Sequence, residues 1–179
     1  MTRELREQVR QSRRIVIKVG TAVVTRADGG LSLGRLGSLV EQIRALRDQE
    51  KQVLLVSSGA VGLGADTLGL GKSTLRLADR QACAAAGQGA LVGVYNDLLK
   101  HMGLAGAQVL LTEADFADRT RYVNLQHTLE RLLDLGVVPI INENDTVSTS
   151  ELAMDESHVF GDNDRLSALL ASRMEADLL

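Results

Sequence analysis

What most constrains the fold of this chain is a recurring unit. A short, β-branched apolar run ends in a polar or glycine cluster, and a helical stretch follows. Ile15-Val16-Ile17-Lys18-Val19 runs into Gly20, and Val53-Leu54-Leu55-Val56-Ser57 runs into Ser58-Gly59-Ala60. Ala107 to Thr112 is a third run, and Val137-Val138-Pro139-Ile140-Ile141 leads into Asn142-Glu143-Asn144-Asp145. Runs that stay apolar, rather than alternating, read as strands buried on both faces. Pro139 conflicts with a central strand, since it cannot donate to the ladder. Between the runs the spacing turns helical. Leu33, Leu36, Leu39, Val40, Ile43 and Leu46 recur at three and four, which is an amphipathic helix. Residues 76–100 read as helix, broken or bent around Gly87 and Gly89. Asn124 to Leu135 carries Leu125, Leu129, Leu132 and Leu133 and stops at Gly136. Residues 146–160 are irregular, 163–174 form a helix, and Ala176 to Leu179 begins a fifth strand. Strands alternating with helices predict an α/β protein with a mainly parallel sheet. Residues 1–12 are a charged arm or short helix with Thr2 as cap, and 13–179 form one domain.

In such folds ligands bind beyond the carboxyl ends of the strands. Lys18, Ser58, Thr112 and Asn142–Asp145 all stand there. A further cluster, Gly161-Asp162-Asn163-Asp164, delivers two acids and an amide into a helix start, where Asp162 is the expected cap. The four clusters around Lys18, Ser58, Asp145 and Asn163 are read as one site. Ser57-Ser58-Gly59-Ala60 presents backbone N–H groups to a carboxylate or phosphate. Lys18 supplies a point charge for a phosphate. Acids after the fourth strand suit a substrate ammonium or a metal-bound phosphate.

Composition narrows the function. Aromatics make up 2% of the chain and the net charge is -3, so a base-stacking platform or a basic nucleic-acid surface is not expected. The longest uncharged stretch, Gln81 to Asn96, is shorter than the ~20 apolar residues of a membrane span; it reads as a buried helix whose small residues allow close packing. Met1 to Arg14 lacks the apolar core of a secretory signal. The single cysteine, Cys83, permits no internal disulfide and reads as a small buried hydrophobe; a cytoplasmic setting fits. His101, His127 and His158 lack metal-ligand spacing partners, and no metal site is assigned. Asp118, Arg119 and Arg121 read as a solvated charged loop, with a carboxylate clamp as the minor alternative. Two glycine motifs are rejected. Gly69-Leu70-Gly71-Lys72-Ser73-Thr74 lacks the first P-loop glycine, that position being Asp66, and Gly87-Gln88-Gly89 misses the dinucleotide pattern at Val92.

Ile17-Lys18-Val19-Gly20-Thr21, Val56-Ser57-Ser58-Gly59-Ala60, Ala84-Ala85-Ala86-Gly87-Gln88, Val138 to Asp145 and Gly161-Asp162-Asn163-Asp164 occur in that order. Together they resemble the glutamate 5-kinases of the amino acid kinase superfamily, and the kinase portion of the pyrroline-5-carboxylate synthases. The resemblance implies a three-layer αβα sandwich. It implies ATP-dependent phosphorylation of the γ-carboxylate of L-glutamate, the first step of proline synthesis, with Mg²⁺ bridging the nucleotide phosphates. It implies Lys18 and Asp164 as catalytic residues, Asp164 orienting catalytic lysines. Lys18 and Gly20 would meet the nucleotide, and Ser58, Gly59, Asp145 and Asn163 the amino acid. Proline as feedback inhibitor and a homo-oligomer follow from the same likeness. In that family the chain continues past Leu179 into a nucleotide-binding half with a second catalytic lysine. The expectation is therefore an amino acid kinase domain truncated at the C-terminus. Sister readings are a kinase for N-acetylglutamate or aspartate, and a non-catalytic amino-acid-binding module.

Overall fold

In the computed structural model, which describes residues 3–26, 28–71, 75–147 and 162–179, the four apolar runs become four parallel strands. They are β1 (Arg14–Val19), β2 (Gln52–Ser57), β3 (Gly106–Leu111) and β4 (Val138–Glu143), in the spatial order β1-β2-β4-β3. The helices in chain order are α1 (Arg3–Gln11), α2 (Thr21–Val24), α3 (Leu33–Arg47), α4 (Ala60–Leu68), α5 (Leu77–His101), α6 (Glu113–Ala117), α7 (Arg119–Asp134) and α8 (Asp162–Arg173). Thr2, Lys72-Ser73-Thr74, most of 146–160 and Gly161 lie outside the described residues, as does the capping role expected of the Asp162 side chain.

The strands divide their side chains between two cores, as the period of two demands. Val53 and Leu55 join Val40, Ile43, Leu91, Tyr95 and Leu99 on the face covered by α3, α4 and α5. Leu54 and Val56 join Leu129, Leu133, Leu166 and Leu170 on the face covered by α6, α7 and α8. The result is the expected αβα sandwich. Its connectivity follows from handedness. From β1 through β2 to β3 the chain travels one way across the sheet, with α3, α4 and α5 on one face. From β3 to β4 it steps back, and a right-handed crossover in the reverse direction must use the other face; α6 and α7 lie there. The next step continues in that direction through α8. Leu178 pairs in parallel with Ile15 on the outer edge of β1, and the Val16 amide donates to the Leu178 carbonyl at 2.9 Å. This is the fifth-strand start expected at Ala176–Leu179.

Pro139 finds its place by register. The Val138 amide donates to the Ala105 carbonyl on the β3 side, so the alternation directs the nitrogen of residue 139 toward β2. Pairing with β2 is recorded only from Leu55↔Ile140 onward. The missing N–H thus falls just ahead of that ladder, and a proline is tolerated in a strand with neighbours on both sides.

Two expectations need correction. Of the break or bend read at Gly87 and Gly89 in the helix over 76–100, the break is absent: α5 runs unbroken for 25 residues. Gly87 serves packing instead. A Cβ there would stand 1.9 Å from the Ala60 carbonyl oxygen, and one on Gly64 would stand 1.7 Å from that of Cys83. The backbones of α4 and α5 approach so closely that only glycine fits at these points. The charged stretch 118–121 is a helix start, not a loop. Asp118 caps α7 by accepting from the Arg121 amide, and α7 therefore begins five residues before the expected Asn124. The turn expected at Asp28-Gly29-Gly30 is present, closed by a bridge between Thr25 and Leu31, with Gly29 at φ 91°.

Candidate active site

Connections leave β2 toward one face and β4 toward the other, and the two strands are neighbours. The gap between their carboxyl ends is a topological switch point, where an open α/β sheet leaves a crevice. A cavity of about 350 Å³ lies there, within the range of small-molecule sites. The structure brings into its lining every residue singled out for the site: Lys18, Gly20, Ser58, Gly59, Asp145, Asn163 and Asp164.

Each arrives for a local reason. Gly59 has φ 112°, a conformation that favours glycine, and a Cβ there would press on Val24 at 3.0 Å. That turn aims the first amides of α4 at the cavity, where Ala60, Val61 and Gly62 also stand. Lys18 shares a strand face with Val16, the face that packs against α8. At the strand's end it meets Asp164 in the first turn of α8, with Nζ 2.6 Å from Oδ1. The Lys18 side chain keeps 30% of its exposure and that of Asp164 44%. An ion pair this open contributes about 0–1 kcal/mol to stability, so its consequence is the position of the ammonium.

Below these groups runs a chain of amides. Gln88 of α5 accepts from Asn142 Nδ2 at 2.8 Å, and Asn142 Oδ1 accepts from Asn163 Nδ2 at 3.0 Å. Asn163 Nδ2 also donates to Ser58 Oγ at 2.8 Å. Gln88 and Asn142 are buried, at 8% and 3% exposure. The chain crosses all three layers of the sandwich, from α5 through the end of β4 to α8. Beside it, Ser57 Oγ and Tyr95 Oη lie 2.9 Å apart in the α5 core, where burial pushes the tyrosine hydroxyl's pKa up against the lowering effect of Ser57.

Sequence reasoning did not single out Gln88 as a site residue, nor Arg80, which lines the cavity. Gln88 stands inside one of the segments that carried the resemblance, yet its contact lies 54 residues away in sequence. Thr112, at a strand end, is not part of the cavity lining. It caps α6 reciprocally with Asp115. Burial pushes the Asp115 carboxyl up, but hydrogen bonds from the Thr112 amide and hydroxyl, with Arg121 nearby, bring it net below the ordinary value. His101 and His127 are exposed, and His158 lies outside the described residues. Among the described residues no group of three or more His, Cys, Asp or Glu converges to hold a metal ion, and no helix is long and apolar enough to cross a membrane.

The amino acid kinase family matches residues 13–179. The glutamate 5-kinase of Moorella thermoacetica is 50% identical over 177 residues, which is 99% of this chain and 45% of that protein. The glutamate 5-kinase of Synechococcus elongatus is 51% identical over 169 residues, 94% of this chain and 44% of its own length. That of Nostoc punctiforme is 50% identical over 166 residues, 92% and 44%. The chain thus spans a little under half the length of these curated relatives. With the family matched from residue 13 onward, and a parallel sheet whose switch point gathers the motif residues, the chain belongs to the amino acid kinase family.

Proposed function

We propose that this chain forms the amino-acid-substrate part of a kinase that transfers the γ-phosphoryl group of ATP to the γ-carboxylate of L-glutamate, giving L-glutamyl 5-phosphate, the first step of proline synthesis. The observation that carries this reading is the Lys18–Asp164 ion pair, held at 2.6 Å on the wall of a crevice whose other wall offers a glycine turn and a helix start. The glutamate 5-kinases that cover nearly all of the chain support it.

The residue types suit the chemistry. A carboxylate is already a nucleophile, so the site needs neither a protein nucleophile nor a strong general base. Alignment and charge neutralisation suffice. Ser58 and the amides at Gly59 and Ala60 bind the α-carboxylate. Asp145 pairs with the α-ammonium, and Asn163 holds the same end of the amino acid. The γ-carboxylate then faces Lys18, whose ammonium neutralises phosphoryl oxygens while Asp164 keeps it in place. The donor set fits a nucleotide's phosphates: a lysine ammonium beside Gly20, where a Cβ would meet Nζ at 3.7 Å. Mg²⁺ would be carried by the nucleotide's phosphates, with few direct protein ligands, and would supply charge neutralisation there. Inhibition by proline at the same pocket, a homo-oligomer and a cytoplasmic setting belong to this reading.

Calorimetric titration with L-glutamate, N-acetyl-L-glutamate and L-aspartate tests it, paired with hydroxamate trapping of an acyl phosphate in the presence of Mg-ATP. Glutamate should bind at least about tenfold tighter than its acetylated form, because acetylation removes the ammonium that Asp145 pairs with. Tighter binding of the acetylated or the shorter acid would transfer the assignment to a sister kinase. Binding of glutamate without any response to Mg-ATP, in a chain that also carries the nucleotide-binding half, would favour a binding module.

A further inference from the structure

The amide chain beneath the cavity has a direction, and the direction decides which hydrogen-bonding groups face the ligand. Both hydrogens of Asn163 Nδ2 are committed, one to Ser58 Oγ at 2.8 Å and one to Asn142 Oδ1 at 3.0 Å. Asn142 can offer its oxygen to Asn163 because its own nitrogen is turned to Gln88 Oε1, at 2.8 Å. A carboxamide carries one acceptor oxygen and one donor nitrogen, so fixing one end fixes all three. Two consequences reach the cavity wall. Ser58 Oγ already accepts from Asn163, so its hydroxyl hydrogen is directed to no acceptor among the described residues. Asn163 Oδ1 is buried, with no hydrogen-bond partner among them. Leaving such an oxygen unmatched is costly, which makes it a strong acceptor for an arriving N–H donor.

We propose that Gln88, a buried residue of α5 that does not line the cavity, is a positioning residue which holds the Asn142 amide in its present sense, so that Ser58 presents a donor and Asn163 an acceptor to the bound amino acid. The inference rests on the reading of Ser58 and Asn163 as amino-acid contacts. It adds that the site discriminates by polarity: a carboxylate belongs at the serine and an ammonium at the asparagine. Turning the chain around would require all three amides to flip together. Ser58 would then donate inward and meet the carboxylate with lone pairs alone.

Two substitutions separate polarity from packing. Gln88→Glu, studied near pH 8, keeps an acceptor of the same shape facing Asn142. Gln88→Met keeps the volume and removes the acceptor. The first readout is the side-chain carboxamide NMR signals of Asn142 and Asn163, with the backbone spectrum as the control for folding. In the wild type and in Gln88→Glu these signals should be shifted apart and slow to exchange with solvent. In Gln88→Met they should move toward free-carboxamide positions and exchange at least about tenfold faster. The second readout is L-glutamate affinity, which should fall about tenfold in Gln88→Met and stay within about threefold in Gln88→Glu. Unmoved amide signals in Gln88→Met, or a Gln88→Glu variant that behaves like it, overturn the assignment. A wild-type chain that binds no glutamate overturns the reading of the pocket instead, and the NMR comparison still decides what Gln88 does.

Discussion

Lys18 and Asp164 pose the residue-scale question of why a lysine should stand in an apolar strand. Its carbon stem lies along the α8 face of the sheet and its ammonium reaches the crevice, where an acid holds it without burying it. If the acid serves position and not stability, Asp164→Asn in a chain competent for turnover should lower turnover on the order of 10²-fold. Glutamate affinity should stay within about threefold, and thermal stability should hardly change; kinetics alongside calorimetry separate these, and equal losses in turnover and affinity would count against the role. Another acid acts far from the site. Asp177 accepts from the amides of Arg14 and Arg13 at 2.8 and 2.7 Å, and these bonds hold its carboxyl below the ordinary 3.8. Because the folded value is the lower one, its contribution is complete above the unfolded value and is lost as pH falls through the folded one. The difference in urea midpoint between wild type and Asp177→Asn should therefore be constant from about pH 7 to pH 5 and shrink below about pH 4. At this scale the sequence was informative where a residue contradicts its surroundings, as Lys18 does. It was silent where meaning comes from a distant partner: nothing around Gln88 announces Asn142, and nothing around Pro139 says which edge its nitrogen will face.

Elements show the same division. Leucine spacing placed α3 because one helix face meets one core. The glycines of α5 were ambiguous because glycine has two uses in a helix, as a weak point and as a place for another backbone to approach. The packing of α4 separates them. Gly64→Ala or Gly87→Ala must push the two helices apart, since the new carbon would land within 2 Å of a carbonyl oxygen. Each should cost roughly 2–3 kcal/mol, the cost of an overpacked core. Gly89→Ala should instead stabilise by about 0.5–1 kcal/mol, because its site is exposed and open and alanine is the better helix former. Chemical denaturation of the three variants measures the contrast, and a destabilised Gly89→Ala would revive the idea of a weak point in α5. A buried cation fixes α1 in turn: Lys51 Nζ donates to the carbonyls of Arg10 and Ser12, both at 2.6 Å, closing the end of a helix that sequence alone left as either arm or helix.

Across the whole molecule the candidate site owes its position to one reversal of direction. Helices on opposite faces part at β2 and β4; Ser58 and Asp145 are carried to the gap by the strands they follow, and Asn142 by the end of β4 itself. That much follows from alternating runs and handedness, which is why the expected cluster and the observed cavity agree. The strand order holds a further consequence, for the order in which the chain acquires its shape. Among the described residues β3 is hydrogen-bonded only to β4, and β4 comes later in the chain yet lies between β2 and β3. A nascent chain that has emerged only as far as Gly136 can zip β1 to β2, but its β3 has no ladder to join. β4 is therefore a keystone in time as well as in space. Pulse-labelled hydrogen exchange during refolding should show β3 and β4 amides gaining protection in one kinetic phase, no earlier than the β1–β2 pair. Until that phase an apolar strand edge stays open to other chains, and aggregation during refolding should fall steeply once β4 is in place.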